Sequence, residues 1–320
     1  MSRIFEAMKK AEQERPPDTA AEAAREIAEP NPDTGLGGID LVAALEATRQ
    51  EDSRSRVAPL NILHFDELLS RCAHPRWRPN AAVNMFVSPN EARSAEQFRT
   101  LRSRLYQVRR SQRLRTVLVT SSVAAEGKTF VAHNLGQAIL RQPDRRVLLI
   151  DGDLRSPRLH FSLGAPQTPG LRDYLRGESD EIGIIQHGQE GNLCLIASGS
   201  GTTNPSELLS NGRLKVLLDR VAPLFDWVIL DSPPCLPVAD ASVMADICDG
   251  VLLVVRSGST PSEVTKRACQ ELQGRTIVGV VLNAVDEASV VAGAYAYYSD
   301  NGGGEKSVRA SEGLPSQAVS

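Results

Sequence analysis

Paired cysteines are missing from this chain. Its five cysteines, Cys72, Cys194, Cys235, Cys248 and Cys269, show no CxxC spacing and an odd total. That pattern argues against a cysteine-based zinc site and against a secreted disulfide framework. Long hydrophobic runs are missing too, since nothing reaches the roughly 18–20 apolar residues that span a bilayer. The opening stretch MSRIFEAMKKAEQERPP has no apolar heart of the kind a signal peptide carries. We therefore expect a protein of the reducing cytosol. Nor is there an excess of one charge: 36 basic residues face 39 acidic ones, for a net charge of −3. The chain as a whole has no pull toward nucleic acid or anionic lipid. Aromatic residues are scarce at 4%, and only five are tyrosines.

What is present divides into three parts. Residues 1–80 read as an appendage outside the main core. Ser2–Glu14 has an amphipathic helical stripe of Ile4, Phe5, Met8 and Ala11. A Pro-, Ala-, Glu- and Gly-rich linker follows, and Leu41–Thr48 suggests a further short helix. Residues 81–286 read as one α/β domain, and residues 287–320 as a flexible tail. Within the domain, apolar runs at 116–120, 147–150, 193–196, 227–230, 251–255 and 277–282 read as strands. Helical stretches are expected at 89–109, 128–140, 205–225, 240–248 and 261–272. β-Branched runs alternating with helices predict a mostly parallel central sheet covered on both faces.

The chemistry lies at strand ends. The run TVLVT leads into Ser121-Ser122-Val123-Ala124-Ala125-Glu126-Gly127-Lys128-Thr129 and then a helix. Backbone N–H groups at such a junction cradle phosphate oxygens, and the helix dipole adds to the attraction. Lys128 is placed to reach the β- and γ-phosphates of ATP, and the Thr129 hydroxyl to ligate Mg²⁺. Ser122 stands where the GxxxxGK[ST] template has its first glycine. The expected cofactor-binding set is Ser122, Glu126, Gly127, Lys128 and Thr129. A second strand ends in Asp151-Gly152-Asp153-Leu154-Arg155, and a third, WVIL, in Asp231-Ser232-Pro233-Pro234. Carboxylates at the C-terminal ends of parallel strands sit where such sheets bind ligands. Asp231 has the Walker-B position, whose carboxylate holds Mg²⁺ directly or through water.

These motifs, together with GLRDYLRGE and NPSELL, resemble the bacterial tyrosine kinases. That family is a branch of P-loop proteins akin to MinD and ParA that works with polysaccharide synthesis and export. The resemblance spans roughly residues 84–298. It implies that Lys128, Asp151 and Asp153 are catalytic, with one of the two aspartates acting on the tyrosine hydroxyl, and that Thr129 and Asp231 hold the metal. It implies ring assembly through the helix carrying Glu96, Arg99 and Arg102, within a stretch holding eight arginines from Arg93 to Arg115. It also implies autophosphorylation of Tyr295, Tyr297 and Tyr298. Expected partners are a membrane-embedded polysaccharide chain-length regulator as activator and a cognate tyrosine phosphatase, with no nucleic acid. The partner would recruit the chain to the inner face of the membrane.

Two departures set up rival readings. Residues 121–127 lack the extra early lysine of ParA and MinD ATPases, which counts against a positioning ATPase. Ala124 and Ala125 stand where the kinases have Pro-Gly. Alanine tolerates φ > 0 poorly, so a reshaped loop or weaker ATP binding is expected, and in the extreme a degenerate nucleotide-binding scaffold.

Overall fold

The computed structural model describes residues 64–87, 92–189 and 191–285. The chain divides into two units, Met1–Pro59 and Leu60–Ser320, and every described residue belongs to the second. The helices expected at Ser2–Glu14 and Leu41–Thr48, and the tyrosines Tyr295, Tyr297 and Tyr298, lie outside the described residues.

Among the described residues seven strands form one sheet: β1 Thr116–Ser121, β2 Arg146–Asp151, β3 Ile185–His187, β4 Asn192–Ile196, β5 Trp227–Asp231, β6 Gly250–Arg256 and β7 Ile277–Asn283. Their order is β3-β4-β2-β5-β1-β6-β7, all parallel except the antiparallel edge strand β3. Alternate residues of each strand face opposite ways, and both faces of the central strands are dry, whereas the edge strand β7 is partly exposed. Leu118, Leu148, Ile150, Val228, Leu230 and Leu253 enter one core, while Val117, Val119, Leu149, Ile229, Leu252 and Val254 enter the other. This two-sided burial is why the strands read as unbroken apolar runs.

The helices are α1 Phe65–Arg71, α2 Ala92–Ser111, α3 Lys128–Leu140, α4 Leu159–Leu163, α5 Leu171–Leu175, α6 Glu181–Ile184, α7 Pro205–Ser210, α8 Arg213–Val221, α9 Asp240–Ala245 and α10 Ser262–Glu271. The helix expected over 205–225 is broken in two. Gly212 caps the second piece with φ 78°, a left-handed conformation that a continuous helix does not contain. The strand β3 and the short helices between Leu159 and Ile184 are too brief to show a period in the sequence.

The expected boundary at residue 80 needs correction. Phe65, Leu68 and Cys72 are buried in one core and Trp77 in the other. Ala73 pairs with Gln186 of β3, so the segment before residue 80 extends the sheet edge. Polar residues between these anchors hide their spacing from a reading of composition.

Candidate active site

β1, β2 and β5 end side by side, and their ends carry the site. Asp151 lies directly opposite Asp231 in the β2–β5 register. Neighbouring strands are about 4.8 Å apart, so two buried carboxylates meet at one place. Asp151, Asp153 and Asp231 are all nearly inaccessible to solvent. The cation they require is Lys128, whose Nζ lies 3.0 Å from Asp153 Oδ2. Thr129 Oγ1 donates to Asp231 Oδ2 at 2.5 Å. Asp153 Oδ1 accepts from the Ser156 amide at 2.9 Å, and Asp151 Oδ2 from the Leu159 amide at 3.0 Å.

These contacts set the electrostatics. Burial tends to strip the proton from Lys128, but the charges of Asp231, Asp153 and Asp151 outweigh it and hold the ammonium above its usual pKa. Burial raises the pKa of Asp151, with the Leu159 amide hydrogen bond and the nearby His160 ring opposing. Asp231 is pushed up to about 8, chiefly by burial, with the Lys128 charge and the Thr129 hydroxyl opposing.

One oxygen each of Asp151 and Asp231, and the Ser122 hydroxyl, are buried with no hydrogen-bond partner among the described residues. Buried oxygens without donors are costly, and a divalent cation with its phosphate ligands is what such a cluster accommodates. The residues thus fit a magnesium ion carried by a nucleotide. Among the described residues no group of three or more His, Cys, Asp or Glu side chains forms a self-sufficient metal cage. The ion would therefore depend on phosphate oxygens for part of its coordination.

The phosphate loop turns from β1 into α3 as expected, with Gly127 at φ 95° as the cap of α3. A Cβ at Gly127 would run into the side-chain amide of Asn283. Ala125 also takes a positive φ, 65°. The loop keeps a shape suited to glycine despite the alanine, at a cost of about 1–2 kcal/mol. Ala125→Gly is accordingly expected to stabilise the protein by about 1 kcal/mol, part of the gain being offset by the freer unfolded chain. Urea denaturation measures it, and a destabilised glycine variant would contradict the strain.

The Glu126 side chain is engaged within the protein. Its carboxylate is buried and accepts from Val123 N at 2.8 Å, Arg256 N at 3.3 Å and Thr260 Oγ1 at 2.5 Å. Asn283 Nδ2 donates to the Glu126 carbonyl at 2.8 Å. Glu126 therefore ties the loop to the ends of β6 and β7. Three sequence-distant elements meet here, so spacing along the chain carried no sign of it. Their one legible signal was position, since Arg256 and Asn283 are the last residues of apolar strands.

A second polar network flanks Asp153. Arg155 Nε donates to Asp240 Oδ2 at 2.8 Å, and Ser206 Oγ to Asp240 Oδ1 at 2.7 Å. The residues of the expected ring helix separate. Glu96 and Arg99 are exposed and pair with each other at 2.7 Å. Arg102 turns inward and donates to the Ala138 carbonyl of α3 at 2.6 Å. Steps of three residues on a helix of 3.6 per turn drift about 60° each, which carries Arg102 about 120° around from Glu96.

No family model matches the chain. It is 34% identical over 192 residues to the tyrosine-protein kinase YwqD of Bacillus subtilis, an alignment covering 59% of this chain and 81% of that protein. It is 31% identical over 260 residues to the tyrosine-protein kinase etk of Escherichia coli K12, covering 81% of this chain but 35% of etk. The structure superposes on the kinase domain of Escherichia coli ETK with a TM-score of 0.60 and 30% identity, covering 75% of this chain and 88% of that domain. The chimerical protein CapA2B2 gives a TM-score of 0.61 at 26% identity, covering 69% of this chain and 99% of that one. With the P-loop, the paired aspartates and the Walker-B carboxylate on one mostly parallel sheet, the chain belongs to the bacterial tyrosine-protein kinases.

Proposed function

We propose that the chain is an ATP-dependent protein-tyrosine autokinase of exopolysaccharide or capsule synthesis and export. The observation that carries the catalytic part is the meeting of Lys128, Thr129, Asp151, Asp153 and Asp231 at three adjacent strand ends. Bound Mg·ATP supplies the electrophilic γ-phosphoryl group. Thr129 and Asp231 would hold the ion, and Asp231 Oδ1, which has no other partner, is free to do so. Lys128 leaves Asp153 for the phosphates and offsets the charge that builds on them. Asp151 or Asp153, freed of the Lys128 contact, orients the tyrosine and takes its phenolic proton. The tyrosine oxygen bonds to the γ-phosphorus as the bond from phosphorus to the ADP oxygen breaks.

The acceptors in this reading are Tyr295, Tyr297 and Tyr298, supplied by a neighbouring copy in a ring. Glu96 and Arg99, exposed on α2, suit that contact better than the inward Arg102 does. Each phosphorylated tyrosine adds roughly −1.5 to −2 charges, enough when crowded to drive copies apart. A membrane-embedded chain-length regulator would activate the kinase and hold it at the cytoplasmic face, and a tyrosine phosphatase would reset it. Among the described residues no helix is long and apolar enough to cross a membrane.

Purified full-length protein incubated with Mg·ATP is expected to accumulate phosphotyrosine. Phenylalanine at Tyr295, Tyr297 and Tyr298 together should lower it at least tenfold, read by mass spectrometry. Unchanged phosphotyrosine in that variant would reject the tail as acceptor. ATP turnover with no phosphotyrosine would favour a regulatory ATPase instead.

A further inference from the structure

Far from the phosphate loop, two histidines face each other at the sheet edge. His74 follows α1, and His187 ends β3 opposite Cys194, the middle residue of β4. Cys194 pairs in turn with Leu148 of β2, so the two histidines stand at the sheet's edge, two strands out from Asp151. The two Nδ1 atoms are 3.2 Å apart. His187 Nε2 lies 3.0 Å from the Gly191 carbonyl, and His74 Nε2 lies 2.6 Å from the Leu69 carbonyl.

Donor accounting decides the protonation. A carbonyl oxygen only accepts, so both Nε2 atoms must carry the hydrogen. Each neutral ring is then left with a bare lone pair on Nδ1, and the two nitrogens stand 3.2 Å apart between nearly perpendicular rings. Such an arrangement is repulsive unless a cation sits between them. Two imidazole nitrogens on a tetrahedral ion, each about 2.0–2.1 Å from it, stand about 3.3 Å apart. A metal-bound histidine characteristically gives its other N–H to a backbone carbonyl, and both rings here do so.

We infer that His74 and His187 form a two-histidine site for a borderline divalent transition metal such as Zn²⁺, with water completing the coordination. Carboxylate-preferring ions such as Mg²⁺ do not suit two imidazoles. The site would clip the segment leading into the domain onto β3. The backbone already makes that junction: Ala73 N donates to Ile185 O at 3.3 Å, and His187 N to Ala73 O at 2.8 Å. Pairing there also covers an otherwise open sheet edge.

The test uses full-length protein without a histidine tag, saturated with Mg·ADP so that the phosphate site does not compete. Zn²⁺ titrated calorimetrically at pH 7.5 is expected to bind one equivalent, and His74→Asn and His187→Asn each to weaken it at least tenfold. Because a substitution here can loosen the edge, the unaltered protein supplies a second measurement. Zn²⁺ should protect both His74 and His187 from diethyl pyrocarbonate, read by peptide mass spectrometry. Equal uptake by all three proteins, no uptake at all, or unprotected rings would overturn the site and leave a shared proton as the cation between the rings.

Discussion

Lys128→Met is expected to lower phosphotyrosine formation at least about 10³-fold while leaving the fold intact, because its charge is aimed at the reacting phosphates and removing one such aligned group costs 10²–10³ or more. The structure adds a consequence that the motif alone does not. Lys128 is the cation lodged among Asp151, Asp153 and Asp231, 3.0 Å from the second of these. Methionine keeps much of the stem's bulk but leaves three buried carboxylates without a compensating charge, and such groups respond by taking up protons. The variant should therefore lose more stability at pH 8.5 than at pH 5.5. An anti-phosphotyrosine blot and circular-dichroism melts at the two pH values check both parts. Activity above a tenth of the parent's would refute the assigned role, and a pH-independent stability change would refute the electrostatic account.

Asp231→Asn should move activity and stability in opposite directions. The carboxyl of Asp231 is raised to about 8, mainly by burial. Its folded pKa exceeds its unfolded value near 4, so the folded protein holds a proton that the unfolded chain releases. The resulting stabilisation is complete below about pH 4 and is lost as pH rises through about 8. Asparagine has no charge to bury and can still accept from the Thr129 hydroxyl. Without nucleotide or metal, the variant should melt roughly 5 °C above the parent at pH 8.5, where about 2–4 °C corresponds to 1 kcal/mol for a domain of this size. The difference should shrink toward pH 6. Phosphotransfer, by contrast, should fall at least 100-fold, since a magnesium ligand is gone. Thermal denaturation without ligands and a phosphorylation assay read the two halves. An Asp231→Asn protein less stable than the parent at pH 8.5 would show that the carboxylate is not held at a cost.

The two variants test different aspects of one arrangement. Lys128→Met removes the cation and leaves the anions, whereas Asp231→Asn removes one anion and leaves the cation. A pocket in which burial dominates answers the first with lost stability and the second with gained stability. A solvated cluster would answer neither strongly, because water screens exposed charges.

Local chemistry made much of this protein legible along the chain. TVLVT before Gly127-Lys128-Thr129, VLLI before Asp151 and WVIL before Asp231 announced three strand ends. A parallel strand buried on both faces must be apolar throughout, and a polar group at its end is then conspicuous. The helix Lys128–Leu140 begins and ends where the sequence placed it, since its glycine cap and its apolar face are both local features. The edge elements were not legible in this way. β3 has three residues, α1 has seven, and Trp77 is a lone anchor between polar neighbours, so none repeats often enough to reveal a period.

The sequence by itself determined the class of sheet, the order of its motifs, and the identity of the lysine, threonine and three aspartates at its strand ends. Those are properties of short windows, in which apolar patterning and residue type suffice. Only the tertiary structure decided which of them face one another. It set Asp151 beside Asp231 through the β2–β5 register, tied Glu126 to Thr260 and Arg256, turned Arg102 in to Ala138, and brought His74 to His187. The physical reason is separation along the chain. Partners from 36 to 134 residues apart meet only once strand order and register are fixed, and the buried surfaces that fix them are summed over the whole sheet.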